Sequence, residues 1–95
     1  MPWIVPMANN LPGKFFTWDE LTRSSAATKL GITNKPGPEH RINLRMLVYQ
    51  CLDPLREHLG RPVRVTSGYR CHEVNDAVGG SVRSFHTRGL AADIK

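Results

Sequence analysis

Apolar positions are densest between residues 44 and 59. Leu44, Leu47, Val48, Cys51, Leu52, Leu55 and Leu59 recur there at the three- and four-residue steps of one helical stripe. Arg45, Gln50, Asp53, Arg56 and Glu57 fill the opposite face. The spacing predicts one helix from about Asn43 to Leu59, stopped by Gly60. Pro54 removes one internal hydrogen bond and predicts a kink. Cys51, on the apolar stripe, reads as a small core residue.

The flanking segments are shorter. Residues 1–14, rich in Pro, Asn and Gly, read as a poorly ordered lead-in. Thr17 opens a capping box with Glu20, Phe16 stands in the staple position, and a short helix is expected from about Trp18 to Arg23. Ser24 and Ser25 can cap a second helix that stops at Gly31. Residues 33–40 read as a loop, because Pro36, Gly37 and Pro38 oppose regular structure. Pro62 to Ser67 alternates and is β-branched, which predicts a strand ended by Gly68. A short helix from Glu73 to Val78 is closed by Gly79-Gly80, residues 81–85 form a loop or short strand, and Leu90 to Ile94 is a second strand. The class is α+β, with N-terminal helices packed on a small antiparallel sheet.

Composition narrows this picture. The 95 residues fit one domain, placed at residues 15–95, with a core so limited that a metal or partner would aid stability. No apolar run reaches the roughly 18 residues of a membrane span. Met1 to Pro6 lacks the basic-then-apolar pattern of a secretory signal, so synthesis in the cytoplasm is expected. The formal charge of +5 favours anionic partners. Its cations are scattered from Lys14 to Lys95 without like-charge blocks or an aromatic run, which argues against a nucleic-acid-binding domain. Cys51 and Cys71 form no CxxC pair and read as reduced thiols.

The polar groups able to act together lie in the last thirty or so residues. Ser84 to Asp93 has the spacing S-x-H-x-x-G-x-A-x-D. Gly89 allows a tight reversal after His86. In the strand that follows, Ala91 and Asp93 share one face, while Leu90, Ala92 and Ile94 share the other. A charge in an apolar strand is costly unless paired or metal-bound. A hairpin could return Asp93 beside His86, and an imidazole with a carboxylate suits zinc, at about 2.0–2.2 Å from each donor. The plainer reading makes His86 a surface histidine and Asp93 a partner of Arg88 or Arg64.

This stretch resembles the zinc-binding signature of the zinc D-Ala-D-Ala carboxypeptidase family, which has the hedgehog/DD-peptidase fold and cleaves peptidoglycan stem peptides. Val65-Thr66-Ser67-Gly68-Tyr69-Arg70, then Glu73-Val74-Asn75 and Val78-Gly79-Gly80-Ser81, resemble its strand, substrate arginine and following helix. Phe16-Thr17 to Leu30-Gly31 and Asn43 to Val65 are similar to its helical part, so the likeness spans about residues 15–95. The resemblance implies that His86 and Asp93 are metal ligands for Zn2+, that Arg70 contacts substrate or the developing oxyanion, and that Ser84 lies near the bound peptide. For Arg70, the plainer alternative is a surface pair with Glu73. Gly68 and Tyr69 match mainly structural positions. Cys71 stands where the family often has a polar helix cap, a task thiols perform poorly.

The family's third ligand is a histidine on a later strand, shortly after an acidic general base, and neither follows Asp93 in these residues. His40, His58 and His72 precede the signature and do not match that ligand. His58 reads as a residue favoured by a helix C-terminus, and His72 as an exposed helix start. The expectation is therefore an N-terminal portion of a zinc metallopeptidase, or a truncated product, with an incomplete sheet. Its activity would be that of a D,D-carboxypeptidase, or of an endolysin cutting between L-Ala and D-Glu. Its partner would be the peptidoglycan stem peptide at the bacterial cell wall, which fits a phage or prophage origin. The alternative is a non-catalytic relative that binds wall peptide or metal.

Overall fold

The computed structural model describes residues 11–95. Most of the expected lead-in thus lies outside the described residues.

Two short helices come first. Helix α1 (Trp18–Thr22) is capped by Thr17, whose hydroxyl accepts the Glu20 N–H. The same hydroxyl donates to the Glu20 carboxylate, so the reciprocal arm of the box runs side chain to side chain. Phe16 and Leu21 meet in the core as the staple requires. Helix α2 (Ser25–Leu30) is capped by Ser24 and ends at left-handed Gly31.

The long helical region departs from expectation in three ways. It begins earlier, as α3 (Pro38–Leu47). Pro38 occupies the first helical position, where its missing N–H costs nothing and its fixed φ is already helical. The expected loop therefore ends at Gly37. The kink takes the form of a π-helical turn over Val48–Leu52, followed by α4 (Asp53–Leu59) and left-handed Gly60. A proline ring clashes with the carbonyl four residues back, and here the chain widens so that the Asp53 N–H reaches the Val48 carbonyl instead. Each residue of a π turn advances less around the axis. Three residues after Val48, Cys51 has not come round to the core side, and it is exposed rather than buried.

The third departure concerns the polar face. Arg45 and Asp53 are buried. Residues 11–16 cross over this face, where Arg45 Nη1 donates to the Leu11 carbonyl at 2.8 Å. The Asp53 carboxylate accepts the Lys14 and Phe15 N–H groups at 2.8 and 3.3 Å. Pro12 is fully buried, so residues 11–14 are packed rather than loose.

Strand β1 (Val65–Ser67) pairs antiparallel with β2 (Asp93–Ile94), both shorter than expected. Between them lie α5 (His72–Ala77) and a 3-10 turn (Phe85–Arg88) that begins where the expected loop or short strand of residues 81–85 ends. Phe16, Leu21, Leu44, Val48, Leu52, Val63, Val65 and Tyr69 form the core, with Ala92 packed against it. Helix α1 lies directly on β1. A Cβ at Gly68 would overlap the Leu21 carbonyl oxygen and come to 2.9 Å from its carbon. That close approach carries the Tyr69 N–H to Leu21 O bond of 2.7 Å.

Candidate active site

The end of β1 organises the site. Ser67 pairs with Asp93, and the next carbonyl, Gly68 O, lies 2.7 Å from His86 Nδ1. His86 and Asp93 are thus brought together by separate attachment to one strand, rather than by a hairpin between them. Ser84 shapes the turn that carries His86: its hydroxyl accepts the His86 N–H at 3.2 Å and its carbonyl accepts the Thr87 hydroxyl at 2.7 Å. Gly89 closes the turn at φ 74°, where a Cβ would sit 2.6 Å from the His40 carbonyl oxygen. The register slips between Val65 and Ser67, and Thr66 donates its hydroxyl to the Asp93 carbonyl at 3.2 Å. Ala92 turns to the core while Asp93 faces out.

The hydrogen bonding decides the histidine tautomer. A carbonyl oxygen only accepts, so Nδ1 carries the proton and Nε2 of the neutral ring carries the lone pair. Nε2 lies 3.6 Å from Asp93 Oδ2. Two acceptors facing each other at that distance repel unless a cation, a proton or a metal, lies between them. The His86 side chain is 12% exposed and that of Asp93 65%, so the pair opens to solvent on the carboxylate side. Among the described residues, neither Arg88 nor Arg64 forms an ion pair with Asp93.

Arg70 lies on the segment between β1 and α5, where its N–H donates to the His86 carbonyl at 3.1 Å. Its side-chain Nε is buried without a hydrogen-bond partner, and no ion pair to Glu73 is formed. Cys71 caps α5 without a side-chain hydrogen bond, as expected of a thiol, and both cysteines are free.

The Peptidase M15 family model matches residues 14–95. The chain belongs to the M15 peptidase family. Comparison with curated proteins and with solved structures returned no match. M15 membership makes this a metallopeptidase domain, in a family that is generally zinc-dependent and of the peptidoglycan-active kind.

The residues of this M15 domain fit part of a zinc donor set. Two donors each about 2.1 Å from a tetrahedral ion lie about 3.4 Å apart. The observed 3.6 Å is close to that spacing. Nδ1 bound to a backbone carbonyl is an outer-shell arrangement that leaves the Nε2 lone pair available to a cation. Among the described residues, no group of three or more His, Cys, Asp or Glu could hold a metal. His58 and His72 are exposed, in the last turn of α4 and the first residue of α5. His40 stacks on Tyr69 at 5.3 Å between ring centroids.

Two residues important to this region were missed in the sequence. Asn34 bonds to the carbonyls of Thr22 and Tyr69 and to the Cys71 N–H. Asn75 is buried, donates to the Ser81 carbonyl at 2.7 Å, and packs where a Cβ on Gly80 would overlap its amide. An asparagine in a Pro/Gly loop is the only local signal for the first, and it is the ordinary composition of a turn.

Proposed function

We propose that this M15 domain supplies two zinc ligands, His86 and Asp93, and the substrate-binding Arg70 of an enzyme hydrolysing peptidoglycan stem peptides. The bond cut is that of a D-Ala-D-Ala carboxypeptidase or of an L-Ala-D-Glu endolysin. The observation that carries this reading is the 3.6 Å approach of Nε2 to Oδ2, with Nδ1 already committed to Gly68. Zinc, when bound, supplies polarisation of the scissile carbonyl and an acidified water. His86 and Asp93 would hold the ion between Nε2 and Oδ2. Gly68 O keeps the imidazole in the tautomer that can do so. Arg70 presents a planar fork that binds a peptide carboxylate by paired hydrogen bonds, or stabilises charge developing on a carbonyl oxygen. Ser84 acts through its cap on the His86 turn and would stand near the bound peptide. The positive balance of the chain suits an acidic stem peptide at the bacterial cell wall, and a phage-encoded lytic enzyme fits it.

The test is a zinc titration of the chain by competition with a chromophoric chelator, alongside His86→Ala and Asp93→Asn. Each substitution is expected to weaken zinc binding by at least about 10-fold, since even outer-shell losses cost 10–100-fold. Unchanged affinity in both variants refutes the ligand assignment. Zinc binding lost in both, with muropeptide binding that survives a chelator and no cleavage, supports a wall-binding relative instead.

A further inference from the structure

Asn34 lies between α2 and α3, far in sequence from the candidate site, and its amide is fully directed. Its nitrogen donates to Thr22 O at 2.7 Å and to Tyr69 O at 2.8 Å, and its oxygen accepts the Cys71 N–H at 2.8 Å. Two carbonyls on one end and one N–H on the other leave a single consistent orientation of the amide.

The bonds to Tyr69 and Cys71 fall on the two peptide groups that flank the Arg70 Cα. The first plane has its oxygen held by Asn34 and its N–H held by the His86 carbonyl at 3.1 Å. The second plane has its N–H held by Asn34 Oδ1. Both backbone dihedrals of Arg70 are therefore set from outside its own segment, and with them the direction in which its side chain leaves the backbone. The same segment contributes Gly68 O, which fixes the His86 ring. Thr22 O, the remaining partner, ties this arrangement to the end of α1.

We propose that Asn34 is a positioning residue: it sets the backbone of Arg70 and, through the Tyr69–Arg70 peptide group, the carbonyl side of His86. The role of Arg70 rests on the function proposed above, whereas the clamp itself does not. An alanine at 34 removes all three bonds, leaving the first plane held only by the His86 carbonyl and the second without the hold on its N–H.

The experiment compares the wild-type chain, Asn34→Ala and a control, Gly60→Ala, which strains the left-handed residue after α4 and meets nothing within 4 Å. Amide hydrogen exchange and the Arg70 side-chain Nε–H resonance are read by NMR under conditions where each protein is folded. In Asn34→Ala, exchange at the Cys71 amide is expected to speed by roughly 10-fold or more relative to the core amides of α3. The Arg70 Nε–H signal, that of a buried group here, is expected to move towards the position of exposed arginines. Zinc affinity is expected to fall about 10-fold, the lower end of an outer-shell loss. Gly60→Ala should lower stability and leave these three readings unmoved. Equal changes in both variants, or no change at Arg70 and Cys71 in Asn34→Ala, overturns the proposal. If Asn34→Ala does not fold, Asn34→Ser, which retains one hydroxyl, is read in the same way. Failure of both to fold beside a folded Gly60→Ala makes Asn34 a determinant of the fold and also overturns it. If the wild-type chain binds no zinc, the ligand assignment falls while the exchange and Nε–H readings still decide the clamp.

Discussion

Gly68→Ala is the most informative single perturbation, because it acts on packing and on the candidate site at once. The added methyl would overlap the Leu21 carbonyl oxygen, and its 2.9 Å approach to the carbonyl carbon must open to the 3.4 Å of ordinary contact. Helix α1 and β1 must therefore separate by at least half an ångström at this point. The obstacle is backbone on both sides, so no side chain can swing aside. The Tyr69 N–H to Leu21 O bond, at 2.7 Å, lies at the same contact and is stretched or lost. Overpacking costs about 1–3 kcal/mol and one hydrogen bond about 1 kcal/mol, offset by about 0.4–1 kcal/mol from the stiffer unfolded chain. The net loss is roughly 2–3 kcal/mol, or about 8–24 °C in Tm at the 4–8 °C per kcal/mol of a domain this size. Urea unfolding, with the slope held equal between variants, measures the loss directly. Gly60→Ala is the control: its φ is 66° but nothing lies within 4 Å of a new Cβ, so it carries backbone strain alone, about 1 kcal/mol. A Gly68→Ala protein within about 0.5 kcal/mol of wild type, the range of an ordinary surface change, refutes the close-approach argument. So does one less perturbed than Gly60→Ala.

Three further outcomes are expected. Arg70→Lys should lower turnover of muropeptides by a catalytically competent form by about 10-fold or more, because a point charge cannot reproduce a planar fork; equal kcat/KM excludes the role. Residues 1–95 should show no zinc-dependent cleavage by mass spectrometry, because among the described residues no third His, Cys, Asp or Glu joins His86 and Asp93, and want of a general base costs about 10²–10⁴ in rate; chelator-sensitive cleavage would mean another histidine or a second copy completes the site. Burial, reinforced by the charge of Cys71, pushes the Tyr69 phenol above its ordinary 10.0. The unfolded chain loses that proton first as pH rises, so the contribution to stability is whole below about pH 10 and disappears as pH climbs through the raised folded value. The urea midpoint should decline over that alkaline range, and Tyr69→Phe should flatten the decline.

What was legible in the sequence was local. Thr17, Ser24, Gly31 and Gly60 act within a turn of their own positions, and each caps the element expected of it. Within Ser84 to Asp93 only the local readings hold: Gly89 closes the His86 turn and Ala92 faces the core, whereas the expected hairpin and the longer strand do not form. What was not legible depends on segments distant along the chain. Asp53 reads as a solvent-facing residue until the Lys14 and Phe15 amides arrive from 39 and 38 residues away. Pro38 reads as a breaker because the same residue either ends a helix or begins one, and only the helix downstream distinguishes the two. The π turn turned Cys51 outward without altering the stripe formed by Leu44, Val48 and Leu52. Asn34 carries no periodic or motif signal at all, since its partners lie up to 37 residues away.

The attachment of His86 and Asp93 to β1 by different means has a thermodynamic consequence. His86 is held through its own ring to Gly68, while Asp93 depends on a β2 of only two residues. Even with the Thr66 hydroxyl on the Asp93 carbonyl and the Lys95 N–H on Arg64 O, so short a strand belongs at the low end of local opening free energies. A cation bridging the two side chains binds the docked form alone. Its apparent dissociation constant is the intrinsic one divided by the docked fraction, and each tenfold excess of free ion over that constant adds about 1.4 kcal/mol to the docked state. Ion capture and strand docking are in this sense one reaction, in which metal concentration sets how much of the sheet exists. Any chain segment that pairs with the free edge of β2 would raise metal affinity without contributing a ligand.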